Sequence, residues 1–203
     1  MNSENHSARD DLAFLRALAE GGGESQRGTG MALVVGGLLY ALQCFVSGAE
    51  AYGWVHLSDA FMGVFSVAIT AVFLIAISWM SWKGRNASRG GVAARALTAA
   101  FAASGTATLS MLCVFASIAI REKNLMIWLL YPCAVFALQG AAWMVAWMLR
   151  RRAWLGVVAA GWLVSAVVLA WTIGTPLYPM IAGVALVAFM AVPGAIMTRP
   201  AQN

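Results

Sequence analysis

Long apolar stretches alternate with short polar gaps along this chain. Six stretches reach the length of about 20 residues that an α-helix needs to cross a hydrocarbon layer about 30 Å thick. Backbone groups in lipid must be satisfied internally, and runs such as 71–77 show no two-residue alternation, so we expect helices. The pattern predicts an all-α integral membrane protein with six transmembrane helices, at about 31–49, 60–82, 96–120, 125–149, 153–174 and 177–197.

The positive charges give these predicted helices a direction. Eleven of the 13 Lys and Arg residues lie before the first stretch or in the gaps after the second, fourth and sixth. The other two, Arg121 and Lys123, lie in the gap after the third. Because cytoplasmic loops carry the excess of Lys and Arg, both the N- and the C-terminus are predicted to lie in the cytoplasm.

Composition supports a membrane protein and excludes several other classes. The 203 residues are 62% hydrophobic and 10% charged, against about 25% charged in soluble domains. The net charge of +5 belongs to residues that flank apolar stretches, which favours lipid headgroups over nucleic acid as its partner. The large excess of arginine over lysine, with abundant alanine and glycine, indicates a bacterial source. We therefore expect the protein in the bacterial inner membrane.

The polar N-terminal segment has its own pattern. A short amphipathic helix is predicted over about 8–20, with an apolar side formed by Leu12, Phe14, Leu15 and Leu18. Three glycines at 21–23 are expected to end it, and 21–30 to form a linker. A helix this short is marginal alone, so it must dock on lipid, on the protein's own loops or on a partner. We therefore divide the chain into a cytoplasmic segment (1–30), a membrane domain (31–198) and a short cytoplasmic tail (199–203).

One group of polar residues surrounds the gap between the first two helices. Gln43 lies seven residues before Glu50, near the same helix face, while His56 and Asp59 follow in the gap and at the start of the second helix. They are candidates for a polar mouth that binds a cation or passes a proton. The alternative is that they only end one helix and begin the next, with Ser58 or Asp59 as the cap.

Three further features stand out within the predicted spans. Gln139 lies in the middle of the fourth helix, where it would bond across helices or line a pathway. Pro193 should kink the sixth helix and free a backbone carbonyl, which in transporters can build an ion site. The third helix is rich in Ala, Ser, Gly and Thr over 99–110, which predicts close packing at the centre of the bundle. The alternative is that its hydroxyls line a wet pathway.

No catalytic, cofactor or metal motif accompanies these residues. The two histidines, His6 and His56, offer little to a catalytic triad, and no HExxH, GxSxG or GxGxxG arrangement occurs. We therefore predict no enzyme activity, no cofactor and no metal. The leading hypothesis is a membrane-embedded interaction or regulatory component that binds a cytosolic or membrane protein, with a second copy of the chain also open as partner. The alternative is a small-molecule or ion transporter or channel that uses the polar residues of the bundle, and a lipid-acting membrane enzyme comes third.

Overall fold

The computed structural model describes the backbone of residues 2–83 and 92–199, and the side chains of 27–83, 95–124 and 126–199. This part of the chain is helical throughout, apart from short connections, and contains no strand. Its elements are α1 (Asn2–Ala51), α2 (Asp59–Lys83), α3 (Val92–Glu122), α4 (Leu125–Arg150), α5 (Ala153–Thr172), α6 (Leu177–Leu186), a π-helical turn (Val187–Ala191) and α7 (Val192–Thr198).

Six helical segments in the described chain are long and apolar enough to cross a membrane, as the hydropathy pattern predicted. They lie at Arg27–Ala51, Asp59–Lys83, Arg95–Glu122, Met126–Arg150, Ala153–Thr172 and Leu177–Thr198. The last of them, which we call the last span, is made of α6, the π-helical turn and α7 together. The prediction of six apolar helices is thus confirmed, with most ends moved by only one or two residues.

Local capping explains where several helices begin and end. The Ser58 hydroxyl accepts a hydrogen bond from the Phe61 amide (3.2 Å) and so caps the start of α2. The Asn124 side chain accepts one from the Met126 amide (2.9 Å) at the start of α4. The left-handed residue Arg151 (φ 53°) ends α4, and Ala153 already begins α5. This two-residue connection makes α4 and α5 an antiparallel pair.

The helices form two groups that contact each other. In the first, α4 lies between α3 and α5; in the second, α1 lies between α2 and the last span, which also contacts α5. The fully buried side chains Trp143 of α4 and Trp162 and Leu169 of α5 mark the centre of the apolar core. Substantial packing of α2 among the described residues is on α1 alone.

The central position predicted for the third helix is wrong. α3 packs mainly on α4, and only 6% of the residues in its most apolar stretch are buried, against 44% in the last span. Small residues permit a close approach between helices but do not say which partner makes it. Around Gly105, for example, nothing lies within 4 Å of the position that a Cβ atom would take.

The N-terminal part of α1 also differs from the sequence prediction. The helix continues from Asn2 to Ala51 without a break, whereas a linker was predicted at 21–30. Once a helix is nucleated, each further residue adds a hydrogen bond, and glycine weakens this gain by about 1 kcal/mol without removing the donor. The predicted docking residues lie outside the side chains that the structure describes: Leu12, Phe14, Leu15 and Leu18.

A seam of glycines holds α1 against the last span. A Cβ atom on Gly37 would lie 2.7 Å from the backbone nitrogen of Ala191, and one on Gly194 would lie 2.7 Å from the carbonyl oxygen of Gly30. At the other end, Gly48 packs against the Met180 side chain. We call the contact of Gly30, Gly37 and Gly48 with the last span the glycine seam. It brings two backbones together, which only residues without a side chain allow.

Proline 193 explains the irregular turn in the last span. It has no amide proton to give to the carbonyl of Phe189, four residues earlier, and the backbone widens into a π-helical turn just before it. The predicted distortion is therefore present, but the carbonyl has a partner. The indole nitrogen of Trp162 donates a hydrogen bond to the Phe189 oxygen at 2.9 Å, which ties α5 to the last span.

The glycine seam predicts that valine at Gly37 destabilises the protein, whereas valine at Gly63 does not. Gly37→Val must displace the backbone at Ala191, at a cost of about 1–3 kcal/mol. The matched control is Gly63→Val in α2, where nothing lies within 4 Å of the added Cβ. Thermal unfolding of the detergent-solubilised protein should show a midpoint lowered by roughly 3–10 °C for Gly37→Val only. Equal losses in both variants would contradict the seam.

Candidate functional site

The turn between α1 and α2 is built mainly by backbone hydrogen bonds. The amide of Gly53 donates to the Glu50 carbonyl (2.8 Å), and the amide of Trp54 donates to the Ala49 carbonyl (2.9 Å). Gly53 has a φ of 73°, a left-handed conformation that glycine adopts without strain. The turn therefore reverses the chain within a few residues and leaves its side chains free to face outward.

Three of the predicted mouth residues lie around this turn. Glu50 ends α1, His56 lies in the connection and Asp59 begins α2, and all three side chains are exposed. No ion pair of Glu50 or Asp59 occurs among the described residues. Ser58, rather than Asp59, provides the capping hydrogen bond of α2. The structure thus brings these residues to one end of the bundle, in contact with the surroundings.

Gln43 lies deeper and is engaged by the neighbouring helix. It is about 10 Å below Glu50 along α1, from seven residues of helical rise. Its amide nitrogen donates to the hydroxyl of Ser66 in α2 at 3.0 Å, and its carbonyl oxygen is buried without a described partner. Gln43 is therefore an interhelical tie with one unused acceptor inside the span.

A second polar contact, which was not predicted from the sequence, lies one turn below Gln43. Tyr40 is within hydrogen-bonding reach of Thr70 and packs edge-on against Phe73, with ring centroids 5.2 Å apart. Ser66 and Thr70 are four residues apart and so share one face of α2. That spacing could have revealed a polar stripe facing α1.

Gln139 lies on α4, next to a bond that joins α4 to α3. The Ser104 hydroxyl donates to the Leu138 carbonyl at 3.3 Å and fixes the two helices there. Close by on these helices, three buried polar atoms have no described partner: Thr108 Oγ1, Gln139 Oε1 and Trp143 Nε1. Gln43 and Gln139 are therefore on separate helix pairs, and no described hydrogen bond joins them.

Two apolar clefts open between helix pairs, and neither was predicted. The α1–α2 cleft has a volume of about 440 Å³ and is lined by Phe45, Val46, Ala49, Val55, Leu57, Phe61 and Phe65. The α3–α4 cleft has about 460 Å³ and is lined by Ala116, Ala119, Ile120, Lys123, Asn124 and Trp128. Successive spans run in opposite directions, so both clefts lie toward the same end of the bundle. The wall residues of the first alternate along the chain with the predicted mouth residues.

Side chains that could bind metals or react as thiols are dispersed. No group of three His, Cys, Asp or Glu side chains suitable for a metal converges within the described residues. The cysteines Cys44, Cys113 and Cys133 are unpaired thiols. The Tyr178 hydroxyl, which is near Cys133, donates instead to the Leu129 carbonyl at 2.6 Å and joins the last span to α4.

The chain was also compared with known proteins. Comparison with protein families, with curated proteins and with solved structures finds no match for it.

Proposed function

We propose that this chain is a non-catalytic, polytopic component of the bacterial inner membrane that acts by binding another protein. The observation that carries the proposal is the thin packing of two spans that are consecutive in the sequence, α2 and α3. Only 6% of the most apolar stretch is buried in α2 and in α3, against 28% to 44% in the other four spans. Each of the two helices has its main packing on one other helix, so most of its surface is left for lipid or a partner.

The exposed face of α3 has the composition of a helix–helix contact. Small residues recur at intervals of three and four, and all of them are exposed: Ala102, Thr106, Ser110, Cys113 and Ser117. We call this row the α3 stripe. Residues of this size let a second helix approach closely, whereas lipid-facing surfaces have no need for them.

The hydroxyls of the stripe suit contact with another helix in lipid. Thr106 donates to the Ala102 carbonyl (2.9 Å), and Ser110 donates to the Thr106 carbonyl (3.1 Å). Ser117 likewise donates to the Val114 carbonyl (2.9 Å). Their protons are thus satisfied within α3, and their oxygen lone pairs can accept a bond from an approaching helix. This supports a membrane-embedded partner, which is either a different protein or a second copy of the chain.

A cytoplasmic contact would complement the one in the membrane. The sequence places an apolar face, formed by Leu12, Phe14, Leu15 and Leu18, ahead of the first span, together with basic residues. We propose that this face binds the cytosolic portion of the same partner. The helix-in-groove mode of recognition uses an apolar face of this size.

A photoreactive phenylalanine analogue placed at Ser110 in native membranes tests the proposal. We expect a protein adduct from position 110 and none from position 164, where the side chain of Val164 is 61% exposed on α5. Changing Leu12, Leu15 and Leu18 together to Ser should weaken the adduct several-fold, since the cytoplasmic contact is lost. Adducts with lipid alone at both positions would contradict the proposal. An adduct with the mass of two chains would identify the partner as a second copy.

The orientation of the chain is part of the same proposal. Arg27, Lys83, Arg95, Arg150 and Arg199 mark the ends of spans on one side of the bundle, and we propose that this side is cytoplasmic. Green fluorescent protein fused after residue 203 should then fluoresce, because it folds in the cytoplasm but not after export in unfolded form. Alkaline phosphatase fused after residue 55 should be active, since it needs export. The reverse pair of results would invert the topology.

A transporter or channel is the second candidate, and the buried polar atoms favour it. The side-chain oxygens of Gln43, Gln139 and Thr108 are buried within their spans with no described partner. Buried polar groups are usually satisfied, so such atoms favour contact with water or a polar solute. The Pro193 distortion supports it less, because the freed Phe189 carbonyl accepts from Trp162.

The transporter candidate predicts that the polar residues carry flux. Gln43→Ala, Glu50→Ala and Gln139→Ala combined should abolish ion or solute flux into proteoliposomes, since the two buried amides and the carboxylate at the rim are then lost. The matched control is Gln202→Ala, in the cytoplasmic tail. Flux that is equal in the triple variant and in the unchanged protein would remove these residues from any transport mechanism.

A further inference from the structure

We propose that the α1–α2 cleft binds a lipophilic cation, with the apolar body of the molecule in the cleft and its positive charge at the acidic rim. The occupant is an amphiphile that has partitioned into the membrane, such as a compound with an ammonium or phosphonium group. This inference is independent of partner binding through α3, which lies on another helix pair.

The cleft supplies the apolar half of such a site. Its volume of about 440 Å³ lies within the range of about 300–1,000 Å³ that small-molecule sites occupy. Every wall residue is apolar, and three of them, Phe45, Phe61 and Phe65, are aromatic. Phe61 and Phe65 are stacked with ring centroids 6.0 Å apart, so the α2 wall presents a continuous aromatic surface.

The turn above the cleft supplies the charge. Glu50 directly follows the wall residue Ala49, and Asp59 lies two residues from the wall residues on either side, Leu57 and Phe61. Both carboxylates are exposed, and neither has an ion pair within the described residues. The sequence contains no Lys or Arg from 28 to 82. The rim therefore carries two carboxylates and no Lys or Arg of its own turn.

Aromatic side chains at the rim favour an ammonium-type head. Tyr52 and Trp54 stack with ring centroids 5.1 Å apart, and Trp54 is 70% exposed. The face of an indole ring attracts an organic cation, by about 0.5–1 kcal/mol at an exposed position. The same turn thus presents two carboxylates and an aromatic face beside one apolar cleft.

The second cleft of the protein serves as an internal comparison. The α3–α4 cleft has nearly the same volume, about 460 Å³, but the cation Lys123 lines it. Next to it, Glu122 is paired with Arg121 at 3.0 Å, so the acid at this rim is already neutralised. The two clefts are thus similar in volume but differ in the sign of the rim charge, and of the two the α1–α2 cleft complements a cation.

Titration calorimetry with two lipophilic ions of equal shape and opposite charge tests the proposal. The full chain, in a neutral detergent, should bind tetraphenylphosphonium at one site and tetraphenylborate at least tenfold more weakly. Glu50→Gln with Asp59→Asn should weaken phosphonium binding roughly tenfold, as expected for two exposed charge interactions. The matched control Glu122→Gln should leave it unchanged. Because these carboxylates are exposed, the variants are expected to fold normally.

A second pair of variants places the site in the cleft. Ala49→Phe fills the α1–α2 cleft and should abolish phosphonium binding, whereas Ala119→Phe fills the α3–α4 cleft and should not. Absence of phosphonium binding to the unchanged protein would overturn the proposal, and so would equal affinity in the Glu50→Gln, Asp59→Asn variant. Loss of binding in Ala119→Phe alone would assign the ion to the other cleft. None of these results bears on crosslinking through α3. The proposals of partner binding and of cation binding can therefore be rejected separately.

Discussion

The contact of glycine with backbone along the seam between α1 and the last span is the constraint on which the bundle depends. Lipid is as apolar as the side chains, so helices in it associate through close packing and hydrogen bonds rather than by escape from water. At Gly37 and Gly194 the two backbones approach as closely as a missing Cβ permits. The first and last spans are thereby joined, and α1 becomes the support against which α2 also packs.

The other helices are placed by their contacts with α1, α4 and the last span. The α4–α5 pair is fixed by its two-residue connection and by buried side chains such as Trp143 and Trp162, and the bond from Trp162 to the Phe189 carbonyl joins it to the last span. α2 and α3 are then left at the outside of the two groups. Because of this position, the α3 stripe is exposed. The clefts also follow from it, since each opens beside a helix that has only one substantial neighbour.

Hydropathy predicted the number and the approximate bounds of the six apolar helices, because those depend on local composition. Capping by Ser58 and the distortion at Pro193 were also predictable, since each depends on residues within one turn. Packing partners were not. The small residues of α3 suggested a central position, whereas α3 packs mainly on α4 at the outside of the bundle. The partner of the Phe189 carbonyl lies 27 residues away in sequence. For the candidate site, the sequence indicated the polar rim but not the cleft, because Ala49 and Phe61 look like any other apolar residues until two helices diverge.

The π-helical turn at Val187–Ala191 changes which face of the last span is directed toward α1. Such a turn accommodates one extra residue, so every position after it is rotated by roughly 100° relative to an uninterrupted α-helix. Pro193, Gly194 and Met197 are buried in this rotated frame, and Gly194 meets Gly30 there. The last span therefore packs on α1 with one face before the turn and with a face rotated by this angle after it.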